Sequence, residues 1–583
     1  MFLKMKRKLY IILSVTLVML LFCTVLWKLL IGYNQEVSLS VCSGFYDKPF
    51  YLEMSGKGGT IYYTLDGSEP DQYSTKYTSP ILIEDASKHE NVYSMRTDFS
   101  PTYNHQLLQE RDAASSEDYV VPDELVDKCT VVRAVCIDAF GGRSAEACGS
   151  YFVGFGDKNG YENIRIMSLY TDPANLFDYK RGIYVTGKVM DDYLAGKEQS
   201  AANTDVNEAE GITAEDDSSR GGYFWWWWPA NYRQKGSEWE REARVEIFNE
   251  DKTLLTAKDI GIRIQGGGTR GYVPKSLNLY AREKYDGTSH FDRGIFTSDY
   301  EPETITLFAG GDSKITKVED YLPSKLASDM NFSTMEMIPC IMFLDGEYWG
   351  YYYLTEKYDA KYFAYHYGVK AEDVLYVKNG EIAEGDEKKI REYKEDMSLL
   401  KEANVESDDV WAEVSERFDM DSFLDYYAMQ LYIDRKNDWP YSNIGMWKTV
   451  KTDDSNPYYD GRWRFVLFDD NSGCYEVKAA ENTSIKNTCE VSPYLDNLMN
   501  RSEFEKELRD RLKELSEGRF SPDNVRNFIN EYEAFVTPRM YREFDRFWGE
   551  RRDYRGKLHG RLQNFIVFFE ERYKYIQEHV EDM

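Results

Sequence analysis

The sequence predicts an α+β protein in three parts: a single N-terminal transmembrane helix, a small immunoglobulin-like β-sandwich, and a large mixed domain ending in packed helices. Three observations predict it. An uncharged apolar run from Leu9 to Trp27 follows a basic cluster. Short β-branched and aromatic runs bounded by turn pairs occupy 36–155. From 160 the pattern is mixed, and from 495 it is helical. At 583 residues the chain is too long for one ordinary domain. Hydrophobic residues at 42% and aromatics at 15%, with 47 Tyr and 12 Trp, supply large cores and argue against global disorder. A formal net charge of −30 disfavours nonspecific nucleic-acid binding, because a phosphate backbone is repelled, and it favours basic macromolecular partners.

In the N-terminal part, Lys4, Lys6, Arg7 and Lys8 precede the apolar run, and Lys28 followed by Leu29-Leu30-Ile31 extends it. A helix rising about 1.5 Å per residue over this run spans roughly 30 Å of hydrocarbon. The basic cluster belongs on the cytoplasmic side, so residues 1–35 read as a tail and anchor, with 9–31 in the membrane and the bulk extracytoplasmic. No small-residue A-x-A site ends the run, Phe22 precedes Cys23, and apolar residues continue beyond it. These features favour an uncleaved anchor. Of the eight cysteines, seven follow the anchor; their spacing fits no zinc pattern, and the six histidines form no H-E-x-x-H. They read as single thiols, and any disulfide among them is not derivable.

In the sandwich region, Ile61-Tyr62-Tyr63-Thr64-Leu65 is a strand ended by the Asp66-Gly67 turn pair. A second strand runs from Thr130 to Ile137, turned by Gly141-Gly142, and 87–122 reads as a polar insertion. Within the large domain, 191–220 is an acidic, solvated loop. Trp225 to Trp228 follow, and neither strand nor helix period puts four neighbours on one face. Either some of these rings are exposed to grip a ligand, or they form a strand buried on both faces. Leu495, Leu498, Phe504, Leu508, Leu512 and Leu515 recur at helical spacing. Further helical runs cover Asn524 to Thr537 and Leu558 to Val580.

Four features, in this order, suit nucleotide-dependent phosphoryl transfer. The first is a strand, the turn Gly266-Gly267-Gly268, and a second strand, with Arg270 and Lys275 beside it. Glycines admit phosphate oxygens close to backbone N–H groups, and a cation neutralises them; an ordinary hairpin is the plainer reading. The second is the hairpin around Asp345-Gly346, leading to Glu356 at the place of an adenine-binding hinge, or as a structural ion-pair partner. The third is Asp438 and Asn443 at D-x-x-x-x-N spacing, as in a catalytic loop where Asp takes the hydroxyl proton and Asn holds a metal. The fourth is an apolar strand delivering Asp469-Asp470, oxygen ligands suited to Mg²⁺ or Mn²⁺; the alternative is a polar turn.

Two resemblances follow. Ile61 to Pro70, with Tyr77, Pro80 and Arg133-Ala134, resembles the chitobiase C-terminal-type sandwich module, which implies a spacer more than a carbohydrate binder. Several segments resemble the CotH (spore coat protein H) kinase family: Asp172 to Phe177, Gly182 to Gly187, Trp239-Glu240-Arg241, Gly261 to Tyr280, Gly346 to Gly350, Asn437 to Pro440 with Asn443, and Gly461 to Arg464 before Asp469. The pattern departs at Asn471, where an Asp-x-Asp would place a second acid. The resemblance implies an atypical protein-kinase-like fold over 160–583 that uses ATP and Mg²⁺ or Mn²⁺ and phosphorylates Ser or Thr of cell-surface or spore-coat proteins. By that resemblance Asp438 is the catalytic Asp, with Asn443 and Asp469 as metal ligands. The expected substrate is basic and Ser-rich. The rival reading is a catalytically silent surface-binding protein whose sandwich and Trp225–Trp228 hold a glycan or a partner.

Overall fold

The structure is a computed structural model that describes residues 13–23, 36–102, 119–195, 225–297, 299–435, 439–474, 477, 480, 484–549 and 553–582. Among these, no helix is long and apolar enough to cross a membrane. The expected single transmembrane helix, and the extracytoplasmic single-pass placement built on it, are therefore withdrawn. The remainder of the predicted anchor lies outside the described residues.

The N-terminal region is β-sandwich-like. A five-stranded sheet runs in the order Gly44–Tyr46, Ala147–Val153, Thr130–Ile137, Thr60–Thr64, Thr75–Lys76, and two two-stranded sheets accompany it. It is not a detached spacer. Phe152 packs edge-on against Phe248 and Phe343 of the large domain at 5.6 and 5.1 Å, and these rings belong to one continuous core. The described ends of the insertion also dock: Phe99 is fully buried against Tyr184 and Trp349.

The large domain begins with a closed barrel. Its strands are β1 (Arg165–Tyr170), β2 (Arg241–Phe248), β3 (Leu254–Ile264), β4 (Leu277–Tyr280), β5 (Thr304–Phe308), β6 (Met337–Leu344) and β7 (Glu347–Thr355). They pair in the order β1-β2-β3-β4-β5-β7-β6, and β6 closes on β1 in parallel. The β6–β7 hairpin turns on Asp345 and Gly346, both at positive φ (46° and 87°), as a two-residue turn matching strand twist requires. A Cβ at Gly346 would lie 2.7 Å from the Cys129 carbonyl, so glycine is what lets the sandwich seat on this turn. Every residue of β7 is buried, as a short run rich in aromatics on both faces of a strand requires.

A second sheet follows: β8 (Val374–Lys378), β9 (Glu381–Glu384), β10 (Gly445–Thr449) and β11 (Arg464–Val466), in the order β9-β8-β10-β11. Helix α1 (Met420–Tyr432) packs on it, capped by Asp419 and buried along almost its whole length. The C-terminal part is helical, with α2 (Ser502–Glu517), α3 (Pro522–Phe547) and α4 (Tyr554–His579) carrying the predicted periodic leucines and aromatics. Helix α3 is pinned to the barrel by Glu543, which accepts the Tyr351 N–H at 2.7 Å and lies 2.6 Å from the Lys317 ammonium, both side chains fully enclosed. From α4, Arg572 donates to the carbonyls of Leu431 and Tyr432, satisfying the C-terminal end of α1 with a cation.

Candidate functional site

Two chain segments converge where α1 ends and β11 ends. Helix α1 stops at Asp434, which adopts a left-handed conformation, and the chain continues through Arg435 to Asn443 and β10. Residues 436–438, including Asp438, lie outside the described residues. Strand β11 is locked from both sides: Ser333 N–H donates to Phe465 O at 3.0 Å, Leu467 N–H donates to Ser333 O at 2.8 Å, and the Tyr426 and Phe465 rings stack at 4.0 Å. The chain beyond it therefore emerges at a fixed point, carrying Asp469 and Asp470.

The two acids diverge. Asp469 is exposed, with φ at +60°, a conformation that Asp and Asn tolerate better than bulkier residues. Its Oδ2 accepts the Asn443 Nδ2 hydrogen at 2.5 Å, so the predicted amide and carboxylate lie side by side. Asp470 points inward and is 3% exposed. Its Oδ1 is held by the Arg435 guanidinium at 2.6 Å and by Gln430 Nε2 at 3.0 Å. Arg435 also donates to Asp469 O at 2.5 Å, tying the backbone between the two acids to the end of α1. Burial outweighs these donors and pushes the Asp470 carboxyl up. Of the expected acid pair, then, Asp469 faces outward and Asp470 anchors the turn.

A third acid, absent from every motif, adjoins them. Asp320 precedes the short helix Tyr321–Leu326, and its Oδ1 accepts the Asp470 N–H at 2.7 Å. Its Oδ2 is buried with no hydrogen-bond partner. Burial, and after it the charges of Asp469 and Asp470, push this carboxyl well above the usual range. The exposed Lys378 places its ammonium 4.3 Å over the Phe468 ring, near enough for the Asp469 charge to act on it. Sequence signals for Asp320 and Lys378 are slight, a helix-start acid and a strand-end lysine. Arg435 lies three residues before Asp438, outside the D-x-x-x-x-N spacing.

The glycine turn packs beneath a tryptophan. Gly268 begins a short 3₁₀ turn, Gly268–Gly271, and a Cβ on Gly268 or Gly271 would press within 3.1 or 3.0 Å of Trp226. Trp225–Trp227 form a 3₁₀ turn in which Trp225 is buried and Trp226 and Trp227 are half-buried over these glycines. The Arg270 guanidinium donates to Gly266 O, Arg233 O and Gln234 O. The Lys275 ammonium is fully buried, donates to Arg270 O at 2.6 Å and Tyr272 O at 3.1 Å, and lies 3.8 Å over the Tyr232 ring. Burial, then the nearby Arg233 and Arg270, push Lys275 well below its ordinary range. Both cations are committed to backbone carbonyls, those of Lys275 in the turn and those of Arg270 in part on the Arg233–Gln234 segment. Glu356 is likewise committed: one oxygen meets His366 Nε2 at 2.7 Å, the other accepts the Glu336 N–H at 2.9 Å, and its own N–H goes to Glu336 O. That is the structural-partner arrangement.

A divalent cation fits the donors at the loop end. Carboxylate and amide oxygens without thiolate or imidazole suit Mg²⁺ or Mn²⁺. The orphaned Asp320 oxygen is the kind of group a cation satisfies. Among the described residues no group of three or more His, Cys, Asp or Glu side chains is placed to hold a metal ion. An open site of few protein ligands is what Mg²⁺ uses when water and phosphate oxygens complete its shell. The described cysteines are all free thiols.

Comparison with protein families matches residues 262–581, more than half of the chain, to a family described as CotH kinase protein. Residues 50–145 match a domain described as Fn3 associated, a description compatible with the chitobiase-type resemblance. No curated protein matches the chain.

Proposed function

Because the chain belongs to the CotH kinase protein family, with the kinase-like function and the general use of ATP and a divalent metal that this implies, we propose that it transfers the ATP γ-phosphate to Ser or Thr hydroxyls of a partner protein at the loop end formed by Asn443 and Asp469. The observation that carries this reading is the fixed juxtaposition of the outward Asp469 carboxylate and the Asn443 amide, 2.5 Å apart at the ends of β11 and the loop after α1. A bound Mg²⁺ or Mn²⁺ supplies charge neutralisation of the phosphates there. The chain's own residues hold and orient: Asp469 and Asn443 present oxygens, Arg435 and Asp470 fix the turn, and Lys378 adds positive charge. Asp438, at D-x-x-x-x-N spacing from Asn443, is assigned to orient the attacking hydroxyl and take its proton. The net charge of −30 favours a basic substrate.

The test is radiolabelled γ-phosphate transfer by the full chain to a basic, Ser-rich protein with Mg²⁺ or Mn²⁺. Transfer that Asp469→Ala and Asp438→Ala both abolish is the expected result. Absence of transfer together with absence of an ATP-dependent thermal shift overturns it and leaves the binding-protein reading.

A further inference from the structure

We propose that Asp320 is a second carboxylate ligand of the divalent cation, contributed by the barrel half of the molecule; this rests on the phosphoryl-transfer reading of the site. The strand-end pair supplies one outward acid only, since Asp470 is enclosed by Arg435 and Gln430. Asp320 is held to the same turn by a single bond, the Asp470 N–H donating to its Oδ1 at 2.7 Å. That bond fixes the carboxylate plane beside the Asp469 turn and leaves Oδ2 buried with no donor. A buried carboxyl oxygen without a partner is costly, and native structures rarely keep one without a use for it. The neighbouring guanidinium does not supply the need, because Arg435 is directed at Asp470 and at the carbonyls of Asp469 and Phe468. A cation shared with Asp469 does.

The placement has a mechanical meaning. Asp320 leads into Tyr321–Leu326, and Tyr321 stacks on Tyr353 of β7 at 4.9 Å. Asp469 follows β11, the last strand of the second sheet in sequence. One cation bound by both acids therefore ties the barrel to the turn that follows the second sheet.

Asp320→Asn keeps the oxygen that accepts the Asp470 N–H and neutralises the orphan one. Mn²⁺ binding to the full chain, read by the electron paramagnetic resonance of free Mn²⁺ without nucleotide, should weaken on the order of tenfold or more in Asp320→Asn and in Asp469→Asn. The Tm of Asp320→Asn in EDTA should equal or exceed that of wild type, because a repelling charge has gone. A purely structural role gives the opposite pair of results, a lower Tm in EDTA with Mn²⁺ affinity intact, and overturns the proposal. If Asp320→Asn binds within about twofold of wild type while Asp469→Asn does not, the Asp320 assignment falls and the phosphoryl-transfer site stands. If wild type holds no Mn²⁺ without nucleotide, the Asp320 assignment falls, and the γ-phosphate transfer assay alone decides the phosphoryl-transfer reading.

Discussion

Arg435→Met tests whether the turn that presents Asp469 depends on an enclosed ion pair. The Arg435 side chain is fully enclosed and Asp470 nearly so, at 0% and 4% exposure, with 2.6 Å between them. Methionine replaces the aliphatic stem of Arg435 and none of its donors. Asp470 then keeps only Gln430 Nε2, and the carbonyls of Phe468 and Asp469 lose the guanidinium. Removing one partner of a buried pair costs about 3–5 kcal/mol, since the survivor is an uncompensated charge. Urea unfolding of the full chain, followed by tryptophan fluorescence, reads this loss. The sharper reading comes from Asp470→Asn, which keeps an oxygen for Gln430 and removes the charge. In the wild-type background it should destabilise, stranding Arg435; in the Arg435→Met background it should stabilise, removing the stranded carboxylate. A loss below about 1 kcal/mol for Arg435→Met, within the range of a surface pair, refutes the reasoning. So does the same effect of Asp470→Asn in both backgrounds, because coupling in a double-mutant cycle is what defines the pair.

Three further outcomes follow from the geometry. Steady-state kinetics with varied ATP should show Lys275→Met within about threefold of wild type per folded molecule and Lys378→Met lower in kcat/KM by roughly 10- to 100-fold; an equal loss in Lys275→Met would return the glycine turn to the active site. Glu543→Ala leaves the Lys317 ammonium and the Tyr351 N–H buried together without their carboxylate, so the chain should lose about 3–5 kcal/mol in urea, and an unchanged midpoint contradicts the pinning of α3. Burial works against Asp460, but its bonds to Arg464 and to Arg462 outweigh that and hold its carboxyl down to about 2; being depressed in the fold, it contributes about 2 kcal/mol that is present above pH 4 or so and lost as pH falls toward about 2, and Asp460→Asn should flatten that part of the stability–pH curve.

What was legible in the sequence is what local chemistry dictates. Asp345-Gly346 reads as a hairpin because two residues at positive φ are needed there, and the turn has them. The leucines and aromatics from Leu495 to Val580 read as helices because their spacing makes one apolar stripe per helix. Asp469 was visible as the polar end of an apolar strand. What stayed illegible depends on distant chain. Lys275 has the right company for a phosphate ligand in one dimension, yet its ammonium is claimed by carbonyls three and five residues back, under Trp226 from far upstream. Asp320 joins a loop 150 residues later through one backbone N–H. The membrane reading rested on a hydropathy run alone, and among the described residues no helix is long and apolar enough to cross a membrane.

The matched family interval and the physical domain do not coincide, and the difference bears on how the site is built. The match starts at residue 262, inside β3 (Leu254–Ile264). Strands β1 and β2 precede it, yet β1 is what closes the barrel, pairing antiparallel with β2 and parallel with β6. Without them β3 and β6 would become open edges, with unpaired N–H and C=O groups and a barrel interior exposed to water. The sandwich is fastened to the same place. Glu246 of β2 accepts from Ser43 Oγ and Ser150 N at 2.9 and 3.0 Å, and Glu347 at the hairpin end accepts the N–H groups of Val92 and Ser94 at 2.5 and 2.7 Å. Those bonds set the turn of the β6–β7 hairpin, β7 carries Tyr353, and Tyr353 supports Tyr321 next to Asp320. The residues that surround Asp469 are thus held in part by strands outside the family match, which makes the sandwich and barrel together the smallest scaffold that explains the geometry of the site.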